Sequence, residues 1–159
     1  MEIIPALLPH LTGLRLEAVV VRGVTVRIDA ATETARASCG VCGAWSTMVH
    51  GRHVRRLADV RLGGHEVLVA LTVRRFACVN AGCGRRTFVE QVPGLTRRHA
   101  RHAVMAAGDL EAVAVALGGR PGSRLAHRLG GVGVPFDVDP DDPPYARSCA
   151  GDPVGAGRR

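Results

Sequence analysis

Four cysteines carry the clearest chemistry in this chain: Cys39-x2-Cys42 and Cys78-x4-Cys83, two close pairs with 35 residues between them. Each pair lies in a glycine-containing turn, Cys39-Gly40-Val41-Cys42-Gly43 and Cys78-Val79-Asn80-Ala81-Gly82-Cys83-Gly84. Tight turns let two thiolates converge on one point, and four soft donors at about 2.3 Å satisfy tetrahedral zinc. The pattern predicts one structural Zn2+ held by Cys39, Cys42, Cys78 and Cys83, with no open position for a substrate. A dithiol redox pair is the competing chemistry. It would set one CxxC between a strand and a helix and leave the second pair idle. His50 and His53 could stand in for a cysteine, yet four thiolates already complete the shell. Cys149 is isolated and reads as a spare thiol.

Two knuckles so far apart in sequence need an element that brings them together. The stretch between them is β-like: residues 45–57 are β-permissive, Gly63-Gly64 is a turn, and EVLVALTVRRF (66–76) alternates, with Val67, Val69, Leu71 and Val73 on one face. A hairpin there would return the second pair to the first. Upstream, LRLEAVVVRGVTVRIDA reads as a further hairpin around Arg22-Gly23, preceded by a short helix or turn at 5–12. After Pro93-Gly94 the character changes. Residues 97–117 read as a helix stopped by Gly118-Gly119, and 122–129 as a shorter one closed by Gly130-Gly131. The last 29 residues hold five of the nine prolines and five of the eight aspartates, and read as disordered or poorly packed.

The expected architecture is therefore α+β: a small antiparallel β zinc-ribbon-like domain, two helices forming an incomplete helix-turn-helix, and an irregular tail. The divisions fall at 1–92, 95–130 and 131–159. Five aromatics in 159 residues (Trp45, Phe76, Phe88, Phe136, Tyr145) are a thin supply of core anchors, so the metal is expected to act as a staple. Its removal, or Cys78→Ser, is expected to unfold residues 39–92.

Charge points to a partner. All 21 basic residues are arginine, and residues 50–101 carry eleven of them against Asp59, Glu66 and Glu90, a net of +8 within a chain of net +7. Arginine's planar fork takes a phosphate or a guanine edge bidentately. Arg52, Arg55, Arg56, Arg74, Arg75, Arg85 and Arg86 are the candidate DNA contacts, with Arg97, Arg98 and Arg101 as weaker ones. A solvated basic face is the plainer reading of the same charge. No run approaches the roughly 18 apolar residues of a spanning helix, which argues against a membrane role. The segment MEIIPALLPHLTGL has no basic start and is interrupted by Pro5 and Pro9, so it does not read as a signal peptide. A cytoplasmic, reducing setting is expected, where thiols bind metal rather than pair.

The string from Cys39 through Arg56-Leu57-Ala58-Asp59, Gly63-Gly64 and Val73-Arg74-Arg75-Phe76-x-Cys78-x-Asn80-x2-Cys83-x-Arg85-Arg86-x-Phe88-x-Glu90 resembles the N-terminal zinc-binding domain of bacterial insertion-sequence transposases of the ISL-three family. Leu117-Gly118-Gly119 and Gly122-x-Arg124-Leu125-Ala126-x-Arg128-Leu129-Gly130 resemble the start of the helix-turn-helix that follows it there. The likeness extends over about residues 7–130. It implies recognition of double-stranded DNA at an element's terminal inverted repeats; full-length transposase or a second copy of the chain is a further candidate partner. The family's RNase H-like catalytic domain has no counterpart here, so the resemblance implies binding in the nucleoid without strand transfer. From Gly131 the sequence departs, and GVGVPFDVDPDDPP cannot form a recognition helix. Asp137, Asp139, Asp141 and Asp142 lack the rigid strands that two-metal chemistry requires. A zinc-ribbon module that docks on protein is the alternative, from a different class.

Overall fold

A computed structural model describes residues 3–129. The expected tail, with its aspartates and Cys149, lies outside the described residues. The chain opens with a short helix α1 (Ile3–Leu7) and a 3-10 turn (Pro9–Leu11), which drive Leu8 and Leu11 into the core. Strands β1 (Leu14–Arg22) and β2 (Thr25–Thr32) form the first hairpin. Two short strands, β3 (Ala37–Ser38) and β4 (Trp45–Ser46), pair apart from the main sheet. Then come the long strands β5 (Val49–Leu62) and β6 (His65–Ala77), and the three-residue β7 (Thr87–Val89). Helices α2 (Val104–Leu117) and α3 (Gly119–Arg128) follow.

The main sheet runs β1-β2-β6-β5, with β7 also on β6. Its hairpins are antiparallel, but β2 lies parallel to β6, with Val26, Ile28 and Ala30 beside Val67, Val69 and Leu71. A parallel pair needs a long crossover. Here residues 33–64 supply it, carrying the first cysteine pair and β5. The β5–β6 turn pairs Leu62 with His65 around Gly63 and Gly64, whose φ angles of 57° and 85° are both left-handed. A two-residue type I′ turn demands positive φ at both positions, which glycine adopts without strain.

The alternation read in β6 holds: Val67, Val69, Leu71 and Val73 are almost wholly buried. They form one core with Leu8, Leu11, Ile28, Ala30, Leu57, Leu95 and Ala103. Leu71 is fully buried on the central strand, so Leu71→Ala is expected to cost about 2–5 kcal/mol, removed side-chain burial plus cavity. Urea unfolding, with the midpoint lowered and the slope unchanged, is the measurement. A buried polar contact closes the same layer: His10 Nε2 lies 2.5 Å from Asp59 Oδ2, tying the 3-10 turn to β5.

The first long helix begins at Val104 rather than Arg97. Residues 97–103 are held along the free edge of β5: the Ala58 amide donates to the Arg101 carbonyl at 2.9 Å and the Ala103 amide to the Ala58 carbonyl at 2.8 Å. The Arg55 guanidinium donates to the carbonyls of Arg97 and Ala100. Sheet-edge bonding and a side-chain donor claim groups a helix would use, and they override helix propensity. Leu95 and Ala103 accordingly belong to the core of the β structure. The second helix begins earlier than read, at Gly119, with Pro121 in its first turn, where a missing N–H costs no intrahelical bond. Gly118 ends α2 with φ 54° and α3 starts directly after it. At Gly122 the two helices meet closely, an added Cβ there lying 3.5 Å from the Val113 carbonyl oxygen.

Candidate metal centre

Each cysteine pair is the turn of a hairpin. Cys39 and Cys42 lie between β3 and β4, where the Cys39 amide donates to the Ala44 carbonyl at 2.9 Å and the Gly43 amide to the Cys39 carbonyl at 2.8 Å. Cys78 and Cys83 lie between β6 and β7, where the Cys78 amide donates to the Arg86 carbonyl at 2.8 Å. Asn80 shapes this second turn: its side-chain oxygen accepts from the Gly82 amide at 2.9 Å and its carbonyl from the Cys83 amide at 3.0 Å. β5 and β6 carry the chain out and back, so the hairpin does bring the second pair onto the first.

All four sulfurs lie within 4.8 Å of one another. Cys42 Sγ and Cys78 Sγ are 3.6 Å apart. A ZnS4 tetrahedron with bonds of about 2.3 Å has edges of about 3.8 Å, whereas a disulfide needs about 2.05 Å. The four cysteines are free thiols. Their acidities fit the same picture. Backbone amides of Cys42 and Val41 hold the Cys39 thiol down to about 7. At Cys78 the Asn80 amide pulls the same way, but burial and the neighbouring sulfurs, Cys42 first, push the thiol up to about 12. Cys83 is raised too, its bond from the Arg85 amide being outweighed by burial and by Cys42. Four sulfurs this close cannot all ionise unless a cation sits among them, and a divalent soft-tolerant ion supplies that charge.

A second apolar cluster supports the node. Phe76 and Phe88, opposite each other on β6 and β7, stack with centroids 5.9 Å apart and pack with Cys39, Ala37, Cys78 and Cys83. Beside it lies a polar hub that the residue pattern did not mark. Glu90 is buried and accepts hydrogen bonds from Thr32 Oγ1, from Thr34 Oγ1 at 2.8 Å and from the Arg74 amide at 2.6 Å. The Arg74 guanidinium closes the ion pair at 3.3 Å and also donates to Thr34 Oγ1 and the Thr34 carbonyl. Burial pushes the Glu90 carboxyl up, but the bonds from Thr32, Arg74 and Thr34 outweigh it and hold the group below the ordinary glutamate range.

The seven candidate arginines therefore separate. Arg74 is committed to Glu90, and only 13 % of its side chain is exposed, so its place is structural. Arg55 holds the 97–100 segment and also reaches Gln91 Oε1 at 3.3 Å. Arg52, Arg75 and Arg86 are exposed, while Arg56 and Arg85 are half-buried. Strand alternation sends Arg52 and Arg56 to one face of β5 and Arg55 to the other, with Arg75 on the Arg55 side through its pairing beside Gly51. Arg97, Arg98 and Arg101 are exposed on the segment beside β5. His50 is exposed and His53 half-buried, and neither joins the sulfur cluster.

The described residues thus hold a tetrathiolate zinc site of the ribbon class: two knuckles at the tips of two hairpins, with a closed shell and one structural Zn2+. Residues 35–83 match the family model described as the zinc-finger of transposase IS204/IS1001/IS1096/IS1165. That segment is a transposase-type zinc finger. No curated protein and no solved structure matches the chain. Among the described residues no helix is long and apolar enough to cross a membrane.

Proposed function

We propose that this chain is a zinc-dependent DNA-binding fragment of a transposase that engages double-stranded DNA at element ends, in the nucleoid, without strand-transfer activity. One observation carries the reading: the transposase-type zinc node is fastened to a β5–β6 hairpin that carries exposed arginines on both faces, Arg52 on one and Arg75 on the other, with Arg86 just beyond the second knuckle. The sheet fixes where the guanidinium groups start from, and their planar fork is pre-organised, so less freedom is lost per hydrogen bond to a phosphate. In this reading α2 and α3 are the front of a helix-turn-helix, and α3 presents Arg120, Arg124 and Arg128.

Fluorescence anisotropy with a labelled duplex in rising salt tests it. Affinity is expected to fall steeply with salt, and Arg52→Gln, Arg75→Gln and Arg86→Gln each to reduce the logarithmic salt slope by about 1. Binding that is tight and insensitive to salt would refute the proposal. A second reading, a protein-docking module that pairs with itself or with full-length transposase, draws on α2, where Val115 is 83 % exposed and Leu117 48 %. Duplex binding absent even at low salt, with self-association retained, would favour it.

A further inference from the structure

Between the first knuckle and the 89–100 segment lies a cleft of about 830 Å³ that the zinc node does not use. Ligand pockets run from about 300 to 1,000 Å³, so it has room for a nucleotide. Its wall includes Trp45, Arg36, Arg85, Arg98, His53 and His99. Trp45 is the chain's one tryptophan, yet 58 % of it is exposed. Arg36 lies over one face of its ring at 4.8 Å, so guanidinium and indole form a stacked pair at the rim, whose outer surfaces are the guanidinium and the opposite indole face. A flat base stacks on either surface, and every base has a π-face to offer.

The electrostatics match. Of the two carboxylates in the wall, Glu90 is neutralised by Arg74, and Glu33 shares Arg15 at 3.7 Å with the nearer Glu17 at 2.7 Å. Arg36, Arg85 and Arg98 are left to meet an anion. His53 is held below its ordinary pKa by burial, with the charges of Arg75 and Arg55 adding to it, so at neutral pH its ring offers one donor and one acceptor. His99, with φ 62°, is the one residue other than glycine in a left-handed conformation among the described residues. Such strain persists where the surroundings impose it, and it gathers at ligand-holding sites.

We propose that this cleft takes an unpaired nucleotide of DNA, its base stacked at Trp45 and Arg36 and its phosphate met by Arg85 and Arg98. The inference rests on the DNA-binding reading and adds a site for unpaired strand to it. A duplex bearing a short single-stranded extension would then bind through both the exposed arginines and the cleft.

The lone tryptophan makes the site its own reporter. In the zinc-loaded full chain, a ten-residue thymidine oligonucleotide is expected to quench Trp45 emission. A duplex with a three-thymidine 3′ extension is expected to bind about ten-fold more tightly than its blunt counterpart. Trp45→Ala and Arg36→Gln should each abolish that advantage while leaving blunt-duplex affinity and zinc content unchanged. Unaltered emission with the oligonucleotide, or variants that weaken blunt and extended duplex alike, would overturn the cleft. Failure of the duplex reading looks different: the blunt duplex does not bind, and quenching by the oligonucleotide persists if the cleft is real.

Discussion

Chelation of the zinc, or Cys78→Ser, is expected to melt the knuckle lobe while the main sheet stays folded. The lobe has little else to hold it. Its apolar cluster consists of Cys39, Phe76, Phe88, Ala37, Cys78 and Cys83, and three of these are ligands. Without metal, two stacked phenylalanines and an alanine must oppose the mutual repulsion of whichever thiols ionise. Structural zinc contributes on the order of 10–16 kcal/mol in small finger modules, far more than such a cluster. The main core contains no ligand at all. Hydrogen exchange should therefore show amides of Ala37–Ser46 and Thr87–Val89 losing protection while those of Val67 to Val73 keep it. This narrows the expectation that all of 39–92 unfolds, because β5 and most of β6 belong to the other core. A chain whose melting and exchange ignore a strong chelator, and which carries no stoichiometric metal, would refute it.

Glu90→Gln should be the most damaging single change outside the metal shell, at about 3–5 kcal/mol, because it leaves the Arg74 charge buried without its partner. The neutral amide also loses an acceptor for bonds that come from Thr32, Thr34 and the Arg74 backbone. Stability against pH gives an independent check. The folded-state pKa of Glu90 is depressed, so its stabilisation is fully present above the unfolded value of about 4.3 and is lost as pH falls through the folded value. Wild type should therefore weaken progressively below about pH 4, and Glu90→Gln should show a shallower acid limb. Combining it with Arg74→Met should restore part of the loss, the mark of a true pair in a double-mutant cycle. An acid limb of equal steepness in both proteins would remove Glu90 from this role.

The two predictions differ in how visible their residues were. The cysteines announce themselves, since two tight glycine-containing turns with four thiols have few uses besides holding a metal. Glu90 carried no such signal beyond its place in a family-like string, and Arg74 looked like its neighbours Arg75 and Arg52. What separates them is the parallel placement of β2 beside β6, which carries Thr32 and Thr34 to the foot of β7. A pairing between strands so far apart in sequence leaves no local trace. The same holds for residues 97–103, whose composition favours a helix until the β5 edge and Arg55 claim their amides and carbonyls.

Local chemistry accounts for the knuckles, the glycine turn at Gly63-Gly64, the buried face of β6 and the helix stop at Gly118, all legible from the residues alone. Each depends on residues within a few positions of one another, where backbone sterics and side-chain period act directly. Which arginines hold the fold and which are exposed, that two apolar clusters form rather than one, and that Trp45 borders a cleft emerge only when distant segments pack together. Those outcomes depend on which non-neighbouring strands lie side by side, and long-range packing, not local preference, sets that.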